Sequence, residues 1–352
     1  MEVETSTVRE WAVEGSIQNG IQGATGSQLG IDAERLLGDS PAIEDLRRQI
    51  GVVARSEATV LIQGETGTGK ELVARAVHRA SSRARAPFIV FSAANLPDQL
   101  FESELFGHAR GAFTGAAEKR RGLAAAADGG TLFIDEVGEV ALSNQARLLR
   151  FLDTKEVRPV GSAKARTVDV RIVCATNRCL AREVRRGRFR TDLYYRLRVL
   201  TLCTPPLRER SEDLQVLVQY FLRRFAVRHS RPGLRITQEA RELLAANPWR
   251  GNVRELRNEL ERAAVLTPPG QPIAVASFSP EIRSWAAPQA QNGHAPRRNL
   301  RQRLHWAERE MVRQVLEEVD GSLELAAERL KVRTSVLRQR IEKLGLDPTA
   351  FH

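Results

Sequence analysis

Residues Gly64-Glu65-Thr66-Gly67-Thr68-Gly69-Lys70 decide the fold of this chain. They follow an apolar run at residues 59–63 that predicts a β-strand, and helical periodicity begins near Lys70. Glycines in this pattern let successive backbone N–H groups point at phosphate oxygens, and the following helix adds a favourable dipole. We therefore predict that residues 64–70 and Glu71 bind a nucleotide. Glu71 stands where this motif usually has the Ser or Thr that binds Mg²⁺.

Short β-rich runs alternate with helical stretches from Ser40 to about Cys203, which predicts an α/β fold with a largely parallel sheet between two helical layers. The runs lie at residues 59–63, 88–91, 131–134, 168–175 and 199–202. We predict five segments: a flexible tail at 1–35, an αβα subdomain at 36–204, a helical subdomain at 205–267, a proline-rich linker at 268–298 and a small all-α domain at 299–352.

Composition narrows the functional classes. The chain has 352 residues and a net charge of +11, which weakly indicates a polyanionic partner. Its three cysteines favour a reducing compartment over a disulfide framework. An aromatic content of 5% argues against a single-strand nucleic-acid binder. No apolar run has the length of a membrane span and no signal-peptide pattern opens the chain, so we expect a cytoplasmic protein without a membrane partner.

Polar side chains end two of the predicted strands. Asp135 and Glu136 close the run at 131–134, and Asn177 follows the next run along the chain. Parallel sheets bind ligands at the carboxyl ends of their strands. We expect Asp135 to hold Mg²⁺, Glu136 to polarise an attacking water, and Asn177 to sense the γ-phosphate or position that water. Alone, such acids would more often be a solvated strand end, but the phosphate loop favours the catalytic interpretation.

The C-terminal residues predict a helix-turn-helix. Helical periodicity covers 300–318 and 322–330, and a third helix, capped by Thr334 or Ser335, runs to Leu344. We expect Arg338, Gln339 and Thr334 to contact base edges. The residues expected to hold phosphate are Arg333, Arg340 and Lys343. Lys331 occupies the turn, where a positive φ would cost about 1 kcal/mol. A solvated three-helix bundle is the alternative.

The phosphate loop, the acidic strand and Ala175-Thr176-Asn177 together resemble AAA+ ATPases. The hexapeptide Gly111-Ala112-Phe113-Thr114-Gly115-Ala116 resembles the signature of sigma-54-dependent transcription activators, the bacterial enhancer-binding proteins. The resemblance covers about residues 36–266, and the C-terminal module is similar to the Fis type. It implies that ATP is the nucleotide, that the hexapeptide contacts sigma-54 from the pore of a ring, and that residues 156–167 form a second pore loop.

The same resemblance assigns the arginines and shows departures. Arg190 and Arg196 match the segment whose arginines reach the nucleotide of a neighbouring subunit, and Arg254 matches a phosphate-facing residue of the lid. Glu commonly follows the loop lysine in this family, so Glu71 fits it. Ser92 stands where the family often has an Asn that holds the catalytic Glu, and Arg250 stands where it usually has Pro.

The sequence therefore predicts a transcription activator. It would bind double-stranded enhancer DNA, assemble from dimers into a homo-oligomeric ring of up to six subunits, and use ATP to convert closed complexes of the sigma-54 RNA polymerase holoenzyme into open ones. One alternative is a DNA-binding regulator that keeps the AAA+ fold without remodelling sigma-54; another is an AAA+ unfoldase or helicase loader. Since residues 1–35 are few, we expect hydrolysis that is not gated within the chain, with a separate regulatory protein as a further partner.

Overall fold

The computed structural model describes residues 36–94, 97–112, 118–285, 308, 311–319 and 322–344. The predicted tail at 1–35 and residues 113–116 of the hexapeptide lie outside this part of the chain. The chain forms two compact units that divide between Arg283 and Ser284.

The first unit contains nine strands and eleven α-helices within its described residues. The strands are β1 (Val60–Gln63), β2 (Phe88–Ser92), β3 (Gly107–His108), β4 (Arg120–Arg121), β5 (Thr131–Asp135), β6 (Glu156–Val157), β7 (Arg166–Thr167), β8 (Arg171–Thr176) and β9 (Leu200–Cys203). The helices are α1 (Pro41–Ala54), α2 (Lys70–Arg79), α3 (Asp98–Phe106), α4 (Leu123–Ala126), α5 (Leu142–Thr154), α6 (Leu180–Arg185), α7 (Thr191–Leu197), α8 (Leu214–Arg228), α9 (Gln238–Ala246), α10 (Asn252–Leu266) and α11 (Pro280–Arg283).

The main sheet is five-stranded and parallel, which confirms the predicted largely parallel sheet, and its strands lie in the order β2-β5-β8-β1-β9. Side chains alternate between its faces. Leu132 and Ile134 pack in one buried cluster with residues of α3, α5 and α7, while Phe133 between them packs in the other with α1 and α2. Because both faces are covered, β5 reads as a continuous apolar run. The carboxyl ends of β5, β8 and β1 lie at the same edge of the sheet, and the phosphate loop directly follows β1.

A separate buried cluster holds the helical subdomain together. It is built from apolar residues of α8, α9 and α10, together with the buried Trp249 between α9 and α10. Ile273, Phe278 and Ile282 belong to the same cluster, so the prediction of a linker starting at residue 268 is wrong up to Arg283. Proline-rich composition indicates irregular backbone, but irregular backbone can still pack. Here the segment pairs with the subdomain through Ile273, whose N–H donates to the carbonyl of Arg235 over 2.8 Å.

The C-terminal unit is helical where it is described. Residues 311–318, α12 (Leu323–Arg329) and α13 (Thr334–Leu344) enclose a small core. Its members are Val312, Leu316, Ala326, Ala327, Leu337, Ile341 and Leu344. Met311 and Val336 are 58% and 43% exposed, and their neighbours Val312 and Leu337 face the core instead. Lys331 lies between α12 and α13 with φ +54°, the left-handed conformation that disfavours a side chain.

None of the helices in the described ranges combines the length and apolar character that crossing a membrane requires.

Candidate active site

The phosphate loop, residues 64–70, joins β1 to α2 at the carboxyl edge of the sheet. Gly67 and Gly69 adopt φ of +80° and +99°, and α2 begins at Lys70. A Cβ on Gly67 would come within 2.2 Å of the carbonyl oxygen of Gly251, so a side chain has no room there. The tight backbone exposes the N–H groups of the first turn of α2, as phosphate binding requires.

Lys70 lies beneath this loop and is largely buried. Its Nζ donates to the carbonyl oxygens of Gly64 (3.0 Å) and Glu65 (3.3 Å) and forms an ion pair with Oε1 of Glu136 (3.6 Å). The ammonium is therefore held between the loop and the acidic end of β5.

Glu136, at the end of β5, has φ +51°, and this left-handed turn directs its carboxylate towards Lys70. Its Oε2 accepts a hydrogen bond from the backbone N–H of Asn177 (3.0 Å), and Asn177 Nδ2 donates to Oγ1 of Thr66 (3.0 Å). Thus Lys70, Glu136, Asn177 and Thr66, which the sequence assigned to one site, form one network of contacts.

Asp135 precedes Glu136 and accepts a hydrogen bond from its N–H (3.0 Å). Burial, together with the neighbouring Glu136 charge, raises the pKa of Asp135. A cation beside this pair of carboxylates would relieve their repulsion. Ser92, which stands where the family often has Asn, is exposed and lies opposite Asp135 in the pairing of β2 with β5. Glu136 is held by Lys70 and Asn177.

The helical subdomain contacts the loop from the other side. The N–H of Arg254 donates to the carbonyl of Gly67 (3.3 Å), which brings this predicted residue beside the loop with an exposed side chain. Arg250 is exposed at the entry of α10. Two residues that sequence reasoning did not assign, Arg208 and Asn252, bind the side chain of Glu65. Sequence patterns could not identify these two residues, because only the tertiary fold brings them to the loop.

Three predicted residues have partners elsewhere. Glu71 pairs with Arg75 one turn along α2 (2.7 Å). Arg190 pairs with Asp192 (2.7 Å), and Arg196 pairs with Asp153 (2.8 Å). Hydrogen bonding to Asp192 raises the pKa of Arg190. Within the described residues, these arginines contact their own surroundings and not the phosphate loop.

Two short hairpins are joined to each other by backbone hydrogen bonds. Strands β3 and β4 flank the hexapeptide segment, and β6 and β7 flank the predicted second pore loop. The N–H of Val160 donates to the carbonyl of Gly107 (2.8 Å), and the N–H of Ala109 donates to the carbonyl of Val160 (2.9 Å). The hairpin of 156–167 is therefore bonded to the base of the hexapeptide hairpin, whose residues 113–116 are not described.

Helix α13 presents a polar surface. Arg333, before the helix, and Ser335, Arg338 and Gln339 on it are exposed, and Thr334 is half-buried. Arg340 forms an ion pair with Glu308, so this predicted phosphate contact has a partner within its own unit. The side chain of Lys343 lies outside the described part.

Comparison with known proteins covers most of the chain. A family model described as "Sigma-54 interaction domain" matches residues 36–203, and one described as "AAA+ ATPase lid domain" matches residues 208–295. The second match runs past residue 267, consistent with the burial of Ile273, Phe278 and Ile282.

Named relatives are regulators. The chain is 46% identical over 318 residues to the response regulator protein PilR of Pseudomonas aeruginosa, covering 89% of this chain and 70% of that protein. It is 43% identical over 315 residues to the regulatory protein AtoC of Escherichia coli, covering 89% and 68%. The crystal structure of NtrX from Brucella abortus in complex with ATP has a TM-score of 0.66 and 32% identity, covering 91% of this chain and 72% of that one.

Proposed function

This chain belongs to the family of sigma-54-dependent transcription activators, which are AAA+ ATPases, and from that premise we propose that it remodels sigma-54 RNA polymerase bound at a promoter. It binds enhancer DNA, forms a ring, and couples ATP hydrolysis to conversion of closed complexes into open ones. The observation that carries this proposal is the network joining Lys70, Glu136, Asn177 and Thr66 in a chain that also contains the intact hexapeptide.

The catalytic residues have distinct proposed roles. Lys70 already lies beneath the loop and neutralises outer phosphates once ATP is present. Glu136 Oε1 and Oε2 are held by Lys70 and Asn177, so the carboxylate is oriented to accept a proton from the attacking water. Asn177 links Glu136 to Thr66 of the loop, and through that link occupancy by the γ-phosphate affects the base.

Magnesium fits the residues present. Within the described chain, no cluster of three or more His, Cys, Asp or Glu could hold a metal on its own, but Mg²⁺ in such sites uses one or two carboxylates together with substrate phosphates. Asp135, whose pKa is raised by burial and by Glu136, supplies that carboxylate. When bound, the ion neutralises charge on the phosphate oxygens.

Arg190, just before α7, and Arg196, on α7, complete the site in the ring. Their ion pairs with Asp192 and Asp153 are half-exposed, and ion pairs exposed to water contribute little to stability. A neighbouring subunit's phosphates can therefore replace those carboxylates at little cost. We assign Arg190 and Arg196 to the adjacent nucleotide in an oligomer, for which a hexamer is the expected closed form.

The remaining contacts lie on the hexapeptide and α13. Residues 111–116 contact sigma-54, and the hairpin of 156–167 supports them through Val160. In the C-terminal unit, exposed Arg338 and Gln339 reach base edges, while Arg333 and Lys343 hold phosphate. Arg340 joins them only by leaving Glu308.

Open-complex formation tests the proposal. Purified protein, ATP and sigma-54 polymerase are combined on a sigma-54 promoter carrying a site selected in vitro with this protein, and promoter melting is measured. Wild type and Thr201→Ala, an exposed threonine on β9, should melt the promoter. Thr114→Ala should hydrolyse ATP without melting it. Melting by Thr114→Ala would contradict the loop's role; hydrolysis by the wild type without melting would favour a regulator that acts through DNA binding alone.

A further inference from the structure

The side chain of Glu65 binds two residues that lie outside its own loop. Both carboxylate oxygens accept hydrogen bonds from Arg208, with Nη1 to Oε2 at 2.7 Å and Nη2 to Oε1 at 2.6 Å. Oε2 also accepts from Nδ2 of Asn252 at 3.1 Å. Glu65, which the sequence assigned to the nucleotide, is thus held by the segment after β9 and by the lid helix α10.

Asn252 connects three parts of the first unit. It is fully buried and begins α10 with φ +54°. Besides Glu65, its Nδ2 donates to the carbonyl of Thr66 (3.0 Å), and its Oδ1 accepts from the N–H of Leu207 (2.8 Å). One amide therefore ties the phosphate loop to both the start and the third helix of the lid.

The backbones of the phosphate loop and of the lid also pack closely beside Asn252. The carbonyl of Gly251 lies where a Cβ of Gly67 would stand, and Arg254 N–H donates to Gly67. Lys70 also braces the loop, through the carbonyls of Gly64 and Glu65. When Lys70 turns to a phosphate it leaves those carbonyls, and the bonds from the lid then maintain the shape of the loop.

We propose that Glu65, Arg208 and Asn252 form a latch, a set of positioning residues that fixes the lid to the phosphate loop. The latch keeps the loop in its phosphate-binding shape and moves the lid with it when nucleotide binds. This inference rests on the ATP site of the proposed function and is independent of sigma-54 and DNA.

Three substitutions separate the latch from simple folding effects. Arg208→Gln removes the bidentate pair. Asn252→Asp keeps the acceptor for Leu207 N–H and tolerates positive φ, but it loses the donor and sets a carboxylate against Glu65. Glu65→Arg combined with Arg208→Glu restores a reversed pair. Arg83→Gln is the matched control, because Arg83 forms ion pairs with Glu57 and Asp169, and neither of these residues belongs to the latch.

Two measurements are made on each full-length variant: affinity for a fluorescent ATP analogue, and hydrogen exchange of residues 249–256 with and without nucleotide. Arg208→Gln should weaken affinity about five-fold, near the upper end for an exposed pair, and Asn252→Asp about ten-fold. In both, nucleotide should protect 249–256 much less than in wild type. The reversed pair should recover part of the affinity that Arg208→Gln loses, but not all of it, because Arg at position 65 cannot accept the hydrogen bond from Asn252 Nδ2.

Wild-type affinity and protection in Arg208→Gln and Asn252→Asp would overturn the latch, as would equal losses in Arg83→Gln. Failure of the wild type to bind nucleotide would instead overturn the active-site assignment itself. Loss of promoter melting with normal affinity and protection in wild type would leave the latch supported and contradict only the proposed function.

Discussion

At the carboxyl edge of the sheet, Lys70, Glu136 and Asn177 contact one another, whereas Arg190 and Arg196 on and beside α7 contact carboxylates of their own surroundings. The first group is placed by backbone: parallel strands end together, and the loop turns into α2 beside them. The second group is placed by long, half-exposed side chains. One region is therefore assembled by the fold of the backbone, and the other consists of half-exposed ion pairs between side chains.

The largest effect is expected from substitutions in the second region, at Arg190 and Arg196. Arg190→Ala or Arg196→Ala should lower ATP hydrolysis on the order of 10³- to 10⁵-fold, because arginine supplied to transferring phosphoryl groups has effects of that size. Nucleotide affinity should change less than about two-fold, since the loop and Lys70 remain. Steady-state hydrolysis and equilibrium binding of an ATP analogue measure the two quantities.

Arg198→Ala is the matched control, because Arg198 lies just after α7 and contacts the Tyr194 hydroxyl. It should retain most of the hydrolysis. A mixture of the Arg190→Ala and Glu136→Gln proteins should recover part of the hydrolysis that each lacks. In a mixed ring, a Glu136→Gln subunit supplies its intact Arg190 to the nucleotide of an Arg190→Ala subunit, which keeps Glu136. Full hydrolysis by Arg190→Ala, or no recovery in mixtures that co-assemble, would show that the arginine does not act between subunits.

The first region is tested by Glu136→Gln. Hydrolysis should fall about 10²- to 10⁴-fold through loss of the proton acceptor, while the amide oxygen keeps the hydrogen bond from Asn177. ATP should still bind, because Lys70 and the loop are unchanged. Single-turnover hydrolysis and ATP binding are measured together. A decrease in affinity as large as the decrease in rate would show that Glu136 mainly shapes the binding site.

The smallest effect concerns pH. His78 on α2 is buried, its Nδ1 lies 2.9 Å from Thr131 Oγ1, and burial with the nearby Arg171 and Arg75 charges lowers its pKa from 6.5. The unfolded chain therefore binds the proton more readily, so stability is fully present above about pH 6.5 and falls as pH decreases towards the folded pKa.

Urea unfolding at pH 7.5 and 5.5 should show a loss of at most about 1 kcal/mol from His78 at the lower pH, and His78→Gln should reduce this loss. Asp192→Asn is the control in the α7 region. The hydrogen bond from Arg190 lowers the pKa of Asp192, so its contribution is lost only below its ordinary value of 3.8, outside this range. An unchanged pH dependence of stability in His78→Gln would show that His78 does not cause the loss.

Sequence predicted what local pattern determines. The order of strands and helices, the phosphate loop and the acids of β5 follow from periodicity and from the ends of strands. Arg208 and Asn252 escaped prediction because they lie 143 and 187 residues from Glu65, and only the packed lid brings them to it. The linker prediction failed at Ile273, Phe278 and Ile282 because proline content reports regularity of backbone and not burial.

The bonds of Val160 to Gly107 and Ala109 have a consequence for protein engineering. Each hairpin donates one of the two backbone hydrogen bonds that join them. A graft of the hexapeptide hairpin alone into another ring protein would therefore lose both bonds. A transferable module comprises residues 107–121 together with 156–167. Chimeras that exchange both segments should keep the loop's geometry where single-segment exchanges lose it.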